Sequence, residues 1–137
     1  MTIELVPLNF SKIMQSKSYT VVVLGDEKKR FAIYMEPQVG KTLLSFLTDE
    51  KRPRPLSHEF FFSILDNLSI KVLQIVIQDL EETVYYARIF LEQQIGEKKN
   101  IIEIDARPSD AIMLALMSGA PILCNKEVLD KTIAFQE

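Results

Sequence analysis

Between residues 105 and 110 the chain reads "DARPSD", flanked by the apolar runs "NIIEI" and "AIMLALM". Asp105, Arg107 and Asp110 can form a carboxylate–guanidinium–carboxylate cluster that holds a hard divalent cation or a phosphate. The same residues can equally form a buried Arg–Asp network that only fixes a loop. Part of the stretch is explained by the start of a helix. Pro108 suits a first helical position, where its missing N–H has no partner anyway. Asp110 answers free N–H groups and the positive end of the dipole, and Gly119 followed by Pro121 ends the helix. Asp105 and Arg107 are not explained in this way. They precede the helix at the end of a strand-like run, where side chains commonly project into a cleft.

A second group of polar residues lies in "RPRPLSHE", residues 52–59. Arg52 and Arg54 stand on a proline-stiffened loop, and guanidinium groups suit bidentate phosphate binding. His58 can move a proton near neutral pH. Each residue also has a structural alternative: Ser57 as an N-cap, Glu59 as a first-turn acid, His58 as a hydrogen-bonding side chain, the arginines as a solvated turn. The two groups act together only if the fold brings both helix starts to one cleft, and that is the expected geometry.

Composition narrows the chemistry. A single histidine and a single cysteine cannot build a paired-histidine or clustered-cysteine zinc site, or a two-histidine acid–base pair, within one chain. Cys124, in the apolar "APILCN", reads as a buried structural thiol. No phosphate-cradling glycine loop, GxSxG or HExxH occurs. A formal charge of −3 describes an ordinary acidic protein, so nucleic-acid contact must come from a local patch. No leader-like start and no membrane-length apolar run is apparent, so a cytoplasmic protein without a membrane partner is expected. Association into a homo-oligomer stays open.

These side chains need elements to position them. With 137 residues and 47% apolar content, one domain with one core is expected across residues 1–137. "YTVVVLG" and "KRFAIYME" read as a hairpin, with a weaker strand in "IELVPLNF" before it. "PQVGKTLLSFLTDE" has helical spacing despite Gly40, and "KRPRP" breaks regular structure. In "SHEFFFSILDNLS", Phe61, Ile64, Leu65 and Leu68 follow the spacing of a buried helical stripe, with Ser57 as N-cap. "IKVLQIVIQDL" and "TVYYARIFLEQ" read as a second hairpin, and "NIIEID" as a further strand. In the last helix Ala111 and Ala115 permit close packing, with Ile112 and Leu116 filling the adjoining space.

In order and spacing, "RPLSHEFFFSILDNL", "VYYARIFL" and "IEIDARPSDAIMLALMSGAPI" resemble the bifunctional nuclease family, whose pattern is close to RPLTHDLL, YARL and VDARPSDAIALAL followed by GAPI. The resemblance covers about residues 19–129. It implies an α+β fold in a single compact domain, a mixed β-sheet of hairpins packed with about four helices. It also implies nuclease activity on RNA and DNA. The positions that match the family are Arg54, Ser57, His58 and Glu59 in the first block and Asp105, Arg107, Ser109 and Asp110 in the second. Ser57 replaces the commoner threonine and Glu59 the commoner aspartate, and both retain the chemical group. The chain departs from the family at Met35, where a glycine is usual, and at Gln38, where a glutamate is usual. A neutral amide supplies neither a negative ligand nor a base, so reduced activity is expected unless Glu36 takes that role.

The mechanism expected on this resemblance is phosphodiester hydrolysis. Asp105 and Asp110 would hold one Mg²⁺ or Mn²⁺, Arg54 and Arg107 would neutralise the phosphate with Ser57 and Ser109 beside them, and His58 or Glu59 would handle protons. Low sequence specificity follows, because these groups address the backbone rather than base edges. Two competing readings are a non-catalytic module that recognises an acidic ligand or partner protein, and an enzyme for a small phosphorylated molecule. No stacking platform for single strands stands out, since tryptophan is absent and most phenylalanines fall on helical faces.

Overall fold

Runs of β-branched residues joined by short polar turns build most of the molecule. A computed structural model describes residues 3–51 and 53–136; Arg52 lies outside the described residues. The elements in chain order are β1 (Leu5–Gln15), β2 (Thr20–Gly25), β3 (Arg30–Met35), α1 (Pro37–Leu47), α2 (Ser57–Asn67), β4 (Ile70–Glu81), β5 (Val84–Ile95), β6 (Lys98–Ala106), α3 (Pro108–Ser118), β7 (Ile122–Asn125) and α4 (Lys126–Lys131). The chain is one α+β domain, and its single mixed sheet runs β3-β2-β1-β7-β4-β5-β6.

Both expected hairpins form, and local chemistry sets their turns. Between β2 and β3, Asp26 Oδ1 accepts from the N–H groups of Lys28 and Lys29, each at 2.9 Å, so a side chain mimics the turn's own backbone bond. Between β4 and β5, Glu82 takes a positive φ of 59°. The first strand is longer than "IELVPLNF" suggests. Leu5–Leu8 pair with β7, and residues 9–15 pair with β2, with a bulge between Phe10 and Lys12. The sheet therefore bends at β1, because a bulge adds twist where a strand changes partners. The bend brings the far strands together: the Phe31 ring of β3 stacks on Tyr85 of β5, centroids 5.7 Å apart.

α3 carries the chain from β6 across the inner face of the sheet to β7, which pairs parallel with β4. Its residues 111–115 are all buried, and Gly119 caps it at φ 73°, as the sequence predicts. The close-packing alanines are where expected. Leu116 is only half-buried, however; Ile112, Met113 and Leu114 hold the deep positions. Gly40 in α1 has a clear reason, since a Cβ there would run into Thr20 Oγ1 and Gln15 Oε1. Thr20 is itself buried and hydrogen-bonded to Gln15 at 2.8 Å, so helix and strand approach only over glycine. Cys124 is buried as expected, and burial pushes its thiol up to about 12, leaving it protonated and inert at neutral pH.

α2 departs from its sequence pattern in two ways. Leu56, not Ser57, is the N-cap, and Ser57 opens the helix as its first residue. Leu65 is the only buried residue of the expected stripe, whereas Phe61, Ile64 and Leu68 are exposed. The apolar arc of this helix is wider than the face the core accepts. Phe62, around the helix from Phe61, packs on the core instead.

Candidate active site

The two polar groups meet. His58 stands in the first turn of α2, Asp110 in the first turn of α3, and His58 Nε2 lies 2.9 Å from Asp110 Oδ1. Helix starts separated by about fifty residues in sequence thus join at one hydrogen bond, while the groove beside them is lined from the start of α3 and not from α2. Arg107, the N-cap residue of α3, donates from Nε to Asp110 Oδ2 at 2.8 Å and from an Nη to Oδ1 at 3.2 Å. Both carboxylate oxygens are engaged by cationic or imidazole donors.

Because a carboxylate only accepts, Nε2 of His58 carries a proton, and in a neutral ring Nδ1 is then the acceptor. Burial alone would raise the Asp110 carboxyl, but the hydrogen bonds from Arg107 and His58, and their charges, outweigh it and hold it below 3.8. The same bond to Asp110 raises the Arg107 guanidinium above its ordinary value, reinforced by the charge of Asp110. The Arg107 side chain remains 68% exposed, so its remaining N–H groups face outward. The cluster is therefore a half-buried anion clamped by two donors.

The other site residues are distributed around this centre. Glu59 Oε1 accepts from the N–H of Leu56 at 3.0 Å, which is the helix-start half of a capping arrangement. Arg54 and Ser57 are exposed just before and at the start of α2. Asp105 pairs with Arg88 in the β5–β6 ladder, as Glu103 does with Phe90. That places Asp105 on the opposite sheet face from Ala106, which packs on the core under α3. Asp105, Arg107 and Ser109 line one groove of about 720 Å³ with Glu36, Tyr34 and Tyr86. Glu36, rather than Gln38, is therefore the acidic residue of the α1 start that faces Arg107, and its charge acts on that guanidinium.

The tyrosines are what the sequence pattern hid. Tyr85 and Tyr86 are adjacent, so strand alternation turns the first inward onto Phe31 and leaves the second exposed on the groove. Tyr34 reaches the same groove from β3, its ring 5.2 Å edge-on from Tyr19.

Residues 22–137 match the sequence profile of the bifunctional nuclease domain. The chain belongs to that family. An uncharacterized protein of Mycobacterium tuberculosis is 32% identical over 77 residues, 56% of this chain and 43% of the relative. A protein of Oryza sativa subsp. japonica named bifunctional nuclease 1 is 29% identical over 86 residues, 63% of this chain and 26% of the relative. Bifunctional nuclease 2 of Arabidopsis thaliana is 27% identical over 84 residues, 61% and 25% respectively. The bifunctional nuclease domain seen here thus spans less than half the length of these relatives. Among its described residues, no helix is long and apolar enough to cross a membrane.

Depression of the Asp110 carboxyl sets a pH dependence for this domain. Between the folded value and the ordinary one the unfolded chain binds the extra proton, so the ion pair stabilises fully above about pH 4 and its contribution disappears as pH falls through the folded value. Melting temperature should therefore drop in acid for the wild type. Asp110→Asn should melt lower at neutral pH and show a shallower acid decline. Parallel slopes for the two proteins would mean that the Asp110 pair adds no pH-dependent stability.

Proposed function

We propose that this domain hydrolyses phosphodiester bonds of RNA and DNA with low sequence specificity, at the cluster of His58, Asp110 and Arg107. The 2.9 Å contact between His58 and Asp110 carries the proposal. It supplies an oriented base in a family whose named relatives are nucleases. On this reading Asp110 holds His58 in the tautomer that accepts at Nδ1, and Nδ1 takes a proton from the attacking water. Arg107 turns its free N–H groups toward the non-bridging phosphate oxygens. Arg54 adds charge from its loop, and Ser109 borders the same groove. Solvent protonates the departing oxygen. None of these groups reads a base edge, so cleavage would be largely sequence-independent.

The proposal places no divalent cation on Asp105 and Asp110. Both oxygens of Asp110 accept from Arg107 and His58, Asp105 projects from the other sheet face, and no group of three His, Cys, Asp or Glu side chains that could hold a metal occurs among the described residues. No step is routed through a metal.

The test is cleavage of single-stranded RNA, single-stranded DNA and a small phosphodiester by rigorously purified protein, with Mg²⁺, with Mn²⁺ and with chelator. Polymer cleavage that survives chelation supports the proposal. Turnover of the small phosphodiester alone would indicate a small-molecule enzyme instead. Inertness on all substrates, for the wild type and for Gln38→Glu, would replace it with a second reading: a non-catalytic binding module. That reading is favoured by the outer groove of about 950 Å³, where Asp79, Glu81, Glu103, Asp105 and Glu127 surround Arg88. A polyanion is repelled by such a surface.

A further inference from the structure

β6 is an edge of the sheet, and α2 carries apolar side chains that the core does not cover. Phe60, Phe61, Ile64 and Leu68 are 60%, 43%, 41% and 61% exposed. At about 100° per residue they fall within one arc of about 100° on the helix, beside the arc that buries Leu65 and Phe62. Solvated helices do not ordinarily present large apolar side chains in a continuous stripe.

The helix and the edge strand span the same length of the molecule. α2 leads into β4 at Ile70, which pairs with Gln93, and Gln93 pairs with Asn100 of β6. At its other end His58 bonds Asp110, just beyond the last residue of β6. Ile102 and Ala106 of β6 turn toward the core. Ile104 points to that same sheet face yet is 40% exposed.

β6 has nine residues, contains no proline and pairs with β5 without a bulge. Natural edges usually carry such interruptions, which prevent another strand from adding. The charges of β6 are also self-complementary. Lys98 and Lys99 stand at its start, Glu103 and Asp105 near its end. Antiparallel pairing about a two-fold axis at Ile101 sets Lys99 opposite Glu103 of the second copy, and an axis at Ile102 sets it opposite Asp105. Both registers keep the core-facing side of the two sheets together. Within the chain Lys99 already meets Glu92 at 3.5 Å and Arg88 meets Glu103 at 3.1 Å, so the added pairs would extend existing rows of alternating charge.

We propose that this chain forms a two-fold homodimer by antiparallel addition of β6 to β6 of a second copy, with the exposed apolar arcs of the two α2 helices packing across the junction. This is independent of the catalytic proposal, since no reacting group takes part.

Sedimentation velocity over a range of concentrations tests it. The expected species has twice the 15.7 kDa of one chain. Lys99→Glu should raise the dimer dissociation constant about tenfold or more, because it sets like charges opposite one another. Adding Glu103→Lys or Asp105→Lys to that variant should restore the dimer, and the one that does so identifies the register. Ile64→Glu with Leu68→Glu should give a monomer with unchanged far-ultraviolet circular dichroism. If that variant fails to fold, the charge-reversal series decides alone. A wild type that remains monomeric at its highest soluble concentration overturns the proposal. So does a dimer indifferent to Lys99→Glu.

Discussion

Asp110→Asn is expected to lower phosphodiester cleavage by about 10²–10⁴-fold while the domain remains folded. The amide keeps the shape of the carboxylate but can accept through only one of its two polar atoms. If its NH₂ group faces His58, the imidazole must accept at Nε2 and carry its proton on Nδ1, so the base is lost. If the NH₂ group faces Arg107, two donors oppose each other and the guanidinium swings away. Either outcome disables one half of the site. His58→Gln removes the base directly and should cost a similar factor. The double variant should lose little more than the worse single one, because the two residues act as a unit. The check is kcat/KM on single-stranded RNA and DNA, with melting curves on the same preparations. Cleavage by His58→Gln at the wild-type rate would remove the imidazole from the mechanism and point to a contaminating nuclease or to another residue.

Phe31→Ala should be the most damaging change to stability, about 3–5 kcal/mol. Phe31 is fully buried, and its ring stacks on Tyr85 at 5.7 Å. It belongs to an end strand of the sheet, while Tyr85 belongs to the strand next to the opposite end. Truncation therefore leaves a cavity where the bent sheet folds back on itself, far from anything that could collapse into it along the chain. Denaturant unfolding measures the loss. Leu116→Ala, at a half-buried position, should cost clearly less. If the two variants are equally destabilised, the Phe31–Tyr85 contact does not hold the two arms of the sheet together. Because Tyr34 and Tyr86 border the groove from those same arms, Phe31→Ala should also weaken ligand binding there.

Much of this domain was legible in one dimension, because the relevant physics is local. Alternation of valine, isoleucine and tyrosine with polar residues marks both hairpins. Pro108 and Gly119 bracket α3, since only the backbone chemistry of those residues is at stake. Cys124 sits in an apolar run and is buried as such. The family pattern singled out His58, Arg107 and Asp110 as members of two separate blocks.

What joined the blocks is tertiary. Neither periodicity nor capping indicates that the starts of α2 and α3 lie within one hydrogen bond of each other; that follows from how β4, β5 and β6 return the chain between them. The same spacing cannot show that Asp105 stands on the sheet face away from α3, because only the pairing of β6 with β5 fixes which of Asp105 and Ala106 turns toward the core. Nor does an apolar stripe state its own partner. In α2 the pattern is equally apolar on the side that meets the core and on the side that does not, and helical spacing counts both as buried. Burial is a property of what packs opposite a residue, so the sequence alone determined the elements and the candidate chemistry. Only the bent sheet decided which of those side chains share a site and which face solvent.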